Sequence, residues 1–274
     1  MSRVAFVVHE GRPAAVDAAA ALRRALEAAG VSCAGPEEGR EVDLVVAIGG
    51  DGTFLRGAHA AAAVGVPVVG VKVGRLGFLT EVEPEEAEAL VVAALAGTAA
   101  IEERLAVTVE PLAGAAFDAQ WGLNEVMVEK RARHRLVRLR VAIDGDYVTT
   151  FSADAVIVAT PTGSTAYSFS ARGPIVSPTV SGLVMTPVAP HMVFDRSIVL
   201  DASQVVTLEV IGEEAGLLSA DGRETIELAV GAAVRVRASE RPARLVRRPD
   251  APGFLARVRE KFGLPDDPTA RGAD

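Results

Sequence analysis

Over its first 98 residues the sequence alternates short β-branched runs with helical periods, and after Thr98 the texture changes to β-branched runs broken by turn signals. Val4 to Val8, Leu44 to Ile48 and Pro67 to Val71 read as strands. Pro13 to Ala29, Thr53 to Val64 and Pro84 to Ala96 read as helices, with Gly30 and Gly97 just past the ends of the first and third. Strands alternating with helices of ten or more residues favour a parallel sheet covered by its helices.

Beyond Thr98 the β-branched runs are Val107 to Glu110, Val126 to Glu129, Leu136 to Ile143, Tyr147 to Phe151, Ala155 to Ala159, Ser197 to Leu200, Val205 to Ile211, Glu224 to Leu228, Val234 to Ala238 and Arg244 to Val246. Asp144-Gly145 marks a tight turn between two of them. The expected organisation is a Rossmann-like α/β domain over 1–98 and a β-rich, sandwich-like domain over 99–248. A closing segment over 249–274 follows, with a short helix from Phe254 to Phe262 that packs back on the α/β domain and a loose tail from Leu264 to Asp274.

Composition narrows the function class. Of 274 residues 50% are hydrophobic, enough for a substantial core. A net charge of -8 disfavours broad attraction to nucleic acid or to an anionic membrane, so an anionic ligand must be caught locally. One cysteine, Cys33, allows neither an internal disulfide nor a cysteine zinc site. No signal peptide and no apolar run of membrane-spanning length is visible, and the expectation is a cytoplasmic protein.

The stretch AIGGDGTFLR, 47 to 56, carries the first functional signal. It follows a strand and opens a helix, at the carboxyl end of a parallel strand where open α/β sheets bind ligands. Gly49, Gly50 and Gly52 let backbone approach a polyphosphate, and free N–H groups at the helix start can face it. The pattern is neither the P-loop nor the dinucleotide fingerprint. Asp51, an anion within an anion site, makes sense as the acceptor of a proton from an attacking hydroxyl or as a partner of a magnesium ion on the phosphates; the bland reading is a helix-capping aspartate.

The second signal is DAVIVATPTGSTAYSFSARGPIVSP, 154 to 178. An apolar strand runs into small and hydroxylated residues that turn into a short helix near Ser164, and Tyr167 offers a ring for a base. The two blocks together resemble NAD kinases. The resemblance rests on GGDGTFLR at 49–56, GVPVVGVKVGRLGFLTEV at 65–82, NEV at 124–126, TPTGSTAYSFSARGPIVSP at 160–178 and the Asp-Gly turn of DGR at 221–223, in the family's order. GGDGT alone is shared with lipid kinases and resembles the phosphofructokinase loop; the TPTGSTAYS block joined to GRLGF and NE is far more specific.

The resemblance implies an α/β domain and a β-rich domain with the site in the cleft between them, shared with a neighbouring subunit of a homodimer or homotetramer. It implies transfer of the terminal phosphoryl group of ATP, or of polyphosphate in some members, to the 2'-hydroxyl of the adenosine ribose of NAD, with Mg2+ acting through the phosphates and no protein ligand assigned to it. On the matching positions Asp51 is the catalytic base, and Gly49, Gly50, Gly52, Thr53 and Arg56 bind donor phosphate. Asn124 and Glu125 hold the adenosine part of NAD; Thr165, Ala166 and Tyr167 lie near its base; Lys72, Asp154, Thr162 and Ser170 are further NAD contacts, and Phe78 is an apolar wall.

The sequence departs from the family pattern at three places. Lys72 stands where asparagine is more frequent, Arg172 where a second glycine is usual, and Asp195-Arg196-Ser197 where arginine is typically followed by proline. Competing readings are a lipid kinase sharing the glycine loop, a nucleotide-binding regulator without turnover, and an oxidoreductase, the last weakened by the single glycine in HEGRP after the first strand. The basic run EKRARHRLVRLR, 129 to 140, reads as a hairpin with its arginines in solvent.

Overall fold

A computed structural model describes residues 2–35, 41–74 and 77–265. The expected tail beyond Pro265, and Arg75 and Leu76 of the GRLGF stretch, lie outside the described residues. The chain divides into two units, Met1–Glu102 with Arg244–Asp274, and Glu103–Ala243.

The first unit contains β1 (Arg3–Val8), α1 (Pro13–Ala28), β2 (Ser32–Ala34), β3 (Leu44–Gly49), α2 (Asp51–Val64), β4 (Val68–Lys72), α3 (Pro84–Leu95) and β5 (Ala100–Arg104). Its sheet has the order β2-β1-β3-β4, then a strand near the C-terminus, Ala243–Arg247, then β5. The pairings β1/β2, β1/β3 and β3/β4 are parallel. Every residue of β3 is buried, because side chains alternate between two covered faces. Val4, Phe6, Val46 and Ile48 join Leu22 and Leu26 of α1 and Leu90 and Val91 of α3 in one core. On the other face, Ala47 and Gly70 lie against Gly57 and Phe54 of α2.

With β1 lying between β2 and β3, the chain leaves it toward β2 and then crosses to β3 on its other side. This is a topological switch point, and the crevice above the carboxyl ends of β1 and β3 is where such sheets take ligands.

Two details differ from the sequence reading. The run 244–246, expected in the β-rich domain, joins the first sheet, pairing parallel to β4 at Leu245 and Val68. The second helix begins at Asp51 rather than Thr53, so the aspartate sits in the first turn, where an acid is favoured by the helix dipole.

The second unit is antiparallel throughout its named pairings. It comprises β6 (Val107–Pro111), β7 (Gln120–Gly122), β8 (Glu125–Lys130), β9 (Val137–Ile143), β10 (Asp146–Ala153), β11 (Ala155–Ala159), α4 (Tyr167–Ser170), β12 (Gly182–Val188), β13 (Ile198–Asp201), β14 (Val206–Ile211), β15 (Gly216–Ala220), β16 (Ile226–Leu228) and β17 (Ala233–Ala238). One sheet has the order β10-β9-β14-β17-β6-β7, the other β13-β12-β11-β8-β15-β16. Their inner faces share one core, including Leu139, Val141, Leu208 and Val234 from the first and Val126, Val158, Met185 and Leu218 from the second.

Candidate functional site

At the switch point the loops after β1 and β3 come together. His9 donates its N–H to the Ile48 carbonyl at 3.0 Å, and Val73, just past β4, donates to the Gly49 carbonyl at 3.0 Å. The helix start after Gly50 is compact: the N–H groups of Thr53 and Phe54 both reach the Gly50 carbonyl at 3.0 Å. Among the described residues the N–H groups of Asp51 and Gly52 have no acceptor, and a side chain on Gly50 or Gly52 would meet nothing within 4 Å. The loop therefore keeps free donors and an open backbone face, which suits an anion. Thr53 itself is buried, 3% exposed, and serves the loop's shape.

The Asp51 carboxylate is held by the segment after β4. Oδ2 accepts the N–H of Phe78 at 2.9 Å and Oδ1 that of Leu79 at 3.1 Å. Gly77 lies directly beneath it: a Cβ there would approach the carboxylate carbon to 2.6 Å. This explains why the GRLGF stretch needs a glycine at its fourth position, a link that sequence spacing does not show. Phe78 turns its ring toward Phe262 of the last helix, centroids 6.0 Å apart. That helix, Phe254–Phe262, is further tied down by Arg257, which donates to the Thr80 carbonyl at 3.0 Å and to Glu81 at 2.7 Å.

Two guanidinium groups flank the loop. Arg56 donates to the Val8 carbonyl at 3.0 Å, and Arg12, which the sequence reading passed over, donates to the carbonyl of Val73. Neither forms an ion pair with a carboxylate among the described residues. Arg12 lies in HEGRP, immediately after β1, so its position was a readable signal. Lys72 instead pairs with Glu83 at 2.5 Å, which directs its charge along the start of α3.

In the second unit the Asn-Glu pair and the TPTGSTAYS block meet at one end of β8 and β11, where Glu125 lies opposite Ala159. The Thr160 hydroxyl donates to the Leu123 carbonyl at 2.6 Å and its N–H to the Asn124 carbonyl at 2.8 Å. Gly163, in a 3-10 turn spanning Gly163–Thr165, rests on Asn124, whose Cα a side chain there would approach to 2.7 Å. Thr162 takes a hydrogen bond from Arg104 at 3.3 Å. Thr165 lies in the same turn, Ala166 joins it to α4, and α4 carries an exposed Tyr167 and, at its end, Ser170.

Asp221 completes this end. Its carboxylate accepts the N–H of Leu123 at 2.7 Å, of Asn124 at 2.8 Å and of Glu125 at 3.1 Å. Burial, with the Asp221 charge adding to it, pushes the Glu125 carboxyl from 4.5 up to about 8. Asp154 is not part of this cluster. It precedes β11 whereas Thr160 follows it, a separation of roughly 20 Å at the rise of an extended strand, and it forms an ion pair with Lys130.

At one of the departures the backbone shows why glycine is usual. Arg172 has φ 68, a left-handed conformation that glycine adopts freely. Asp195 and Arg196 pair with each other at 2.6 Å on the surface.

Comparison with known proteins decides the family. The ATP-NAD kinase N-terminal domain model matches residues 31–99 and the ATP-NAD kinase C-terminal domain model residues 123–248. The chain belongs to the NAD kinase family. It is 40% identical over 285 residues to NAD kinase 2 of Streptomyces avermitilis, covering 96% of this chain and 94% of that one. It is likewise 40% identical over 270 residues to the NAD kinase of Symbiobacterium thermophilum, covering 91% and 95%. The fold is that of yeast NADH kinase solved with NADH, TM-score 0.86 at 23% identity over 97% of this chain and 89% of that one. The Archaeoglobus fulgidus NAD kinase solved with ATP gives a TM-score of 0.75 at 25% identity over 96% and 97%. Among the described residues no helix is long and apolar enough to cross a membrane.

Proposed function

We infer that the chain catalyses transfer of the γ-phosphoryl group of ATP to NAD, forming NADP. Membership of the NAD kinase family, carried by two matched domains and by relatives of 40% identity over nearly the whole chain, supports this reading most directly. The 2'-hydroxyl oxygen of the adenosine ribose forms a bond to the γ-phosphorus as the bond to the β,γ-bridging oxygen breaks, leaving ADP.

The roles follow from the local chemistry. The glycine loop offers the N–H groups of Asp51 and Gly52 to the donor phosphates, with Gly49, Gly50 and Thr53 keeping its shape and Arg12 and Arg56 neutralising charge at its rim. Asp51 takes the proton of the attacking hydroxyl; each of its oxygens accepts one N–H and keeps a second lone pair for that bond. Asn124 and Glu125 hold the adenosine part of NAD, with Thr162, Thr165, Ala166 and Tyr167 near the base, while Lys72, Phe78, Asp154 and Ser170 are outer contacts. Because phosphoryl transfer needs little covalent help, positioning and charge neutralisation account for most of the rate.

Among the described residues no group of three or more acidic, histidine or cysteine side chains could hold a metal ion. The loop's open face and free N–H groups fit the triphosphate of ATP, on which Mg2+ would be carried. When bound there it screens the charge that develops on the transferring group. The net charge of -8 and the lone cysteine support a cytoplasmic enzyme without nucleic-acid or membrane partners, and family habit supports a homodimer or homotetramer.

The test is incubation of the purified protein with NAD, Mg2+ and either ATP or polyphosphate, with NADP read by a dehydrogenase specific for it. NADP from ATP is expected. NAD bound tightly without turnover from either donor would turn the reading toward a regulator, and phosphorylation of a lipid in place of NAD toward a lipid kinase.

A further inference from the structure

We propose that Asp221 is a positioning residue of the NAD site, fixing the Leu123–Glu125 turn so that Asn124 and Glu125 present their side chains to the dinucleotide. The proposal rests on the assignment of Asn124 and Glu125 to NAD made above. Successive backbone N–H groups converge on one point only when the chain adopts a nest-like turn, and such a nest needs an anion to be stable. Here the anion is internal: three consecutive N–H groups meet one carboxylate, at 2.7, 2.8 and 3.1 Å.

The contact is reciprocal, since Asp221 donates its own N–H to the Glu125 carbonyl at 3.0 Å. Thr160 grips the carbonyls of Leu123 and Asn124, so the donors and the acceptors of the same peptides are fixed by different segments. Asp221 holds φ 51, which costs an L-residue energy; glycine would relieve it but would leave the nest empty. The Asp221 side chain therefore has a reason to be there that turn geometry alone does not supply.

The same carboxylate acts on Glu125 through space. Next to the ends of β11 and β15, which bring in Ala159 and Ala220, Asp221 is the charged group among the described residues whose field reaches Glu125. Glu125 Oε2 is buried with no hydrogen-bond partner among the described residues. With its carboxyl pushed up to about 8, Glu125 carries a proton at neutral pH and can donate a hydrogen bond to an acceptor on NAD.

The experiment is calorimetric titration of the full-length protein with NAD, without phosphoryl donor, from pH 6 to 9.5, for the wild type, Asp221→Asn and Glu125→Gln. Wild-type affinity is expected to hold at low pH and to fall as pH rises through about 8. Asp221→Asn should bind NAD about tenfold more weakly, the scale of one lost charge-assisted hydrogen bond. Its pH-dependent fall should move to lower pH, because removing the neighbouring negative charge makes Glu125 easier to ionise. A merely structural role would weaken binding without moving that midpoint, and Glu125→Gln should bind without the pH dependence.

Wild-type affinity and an unmoved midpoint in Asp221→Asn overturn the proposal. Should that variant not fold, amide exchange and 13C-carboxyl titration of the wild type decide: unprotected Asn124 and Glu125 amides, or a Glu125 carboxyl titrating near 4.5, overturn it. If Asn124→Ala and Glu125→Ala leave NAD affinity intact, the NAD assignment itself fails. If they weaken it while Asp221→Asn does not, only the positioning role fails.

Discussion

Asp51 and Gly77 are bound to one another by shape: the carboxylate that heads α2 lies on the α-carbon of the glycine, with no room for a methyl group between them. The adjoining N–H groups of Phe78 and Leu79 hold both carboxylate oxygens. The aspartate proposed as the base is thus oriented by the segment after β4, 27 and 28 residues away. Gly77→Ala should displace the carboxylate and lower kcat at least tenfold, more than it raises KM for either substrate. Steady-state kinetics decide the point, and an unchanged kcat would separate the aspartate's orientation from its activity.

Arg12 sets a second expectation. Its guanidinium is fixed by one backbone carbonyl and has no carboxylate partner among the described residues, so its remaining donors are available to phosphate. Arg12→Ala should raise KM for ATP about tenfold, the scale of one charge-assisted hydrogen bond, and leave KM for NAD nearly unchanged. Equal changes in both would place the residue in the fold rather than at the donor.

Arg172 should yield stability without involving the chemistry. A left-handed conformation costs a non-glycine residue about 1–2 kcal/mol, against about 0.5–1 kcal/mol of extra chain entropy for glycine. Arg172→Gly should therefore stabilise the fold by roughly 0.5–1 kcal/mol, read as a higher urea midpoint at unchanged slope. Nothing in the structure explains why arginine stands there, and a lowered midpoint would show that its side chain contributes more than its backbone costs.

Glu125 makes stability depend on pH with a defined sign. Its carboxyl is raised in the folded chain, so between 4.5 and about 8 the native state holds a proton that the unfolded chain releases. Its contribution is complete below 4.5 and is lost as pH rises through about 8. Glu125→Gln should flatten the decline in denaturation midpoint over that window, and an equally steep decline in the variant would assign it to other groups.

Much of this was legible because local pattern and fold agreed. β3, the glycine loop and α2 form one continuous signal, an apolar run, three glycines and a helical period. The Asp144-Gly145 turn likewise closes β9 onto β10 with φ 52 and 92. Residues 182–188 were not read as a strand, because Gly182 and Pro187 punctuate the run. Pro187 is tolerated in β12 because pairing to β13 ends at Met185, so its missing N–H breaks no bond on that side. The strands at 32–34, 100–104, 120–122 and 216–220 are short or start from loop-like composition. The candidate site was half legible: GGDGT, NE and TPTGSTAYS stand out as strings. The contacts that orient them, Asp51 with the Gly77 segment and Asp221 with Leu123–Glu125, join residues up to 98 positions apart and leave no local pattern.

The most direct test of the account is the rate of NADP formation by Asp51→Asn under Mg2+ and ATP, measured beside its affinity for NAD. An asparagine keeps the shape and can accept one of the two N–H bonds, but it cannot take the hydroxyl proton. The expected rate is reduced about 100- to 10,000-fold, with NAD affinity close to that of the wild type. A variant that forms NADP at the normal rate would contradict it and return Asp51 to the role of a capped helix start.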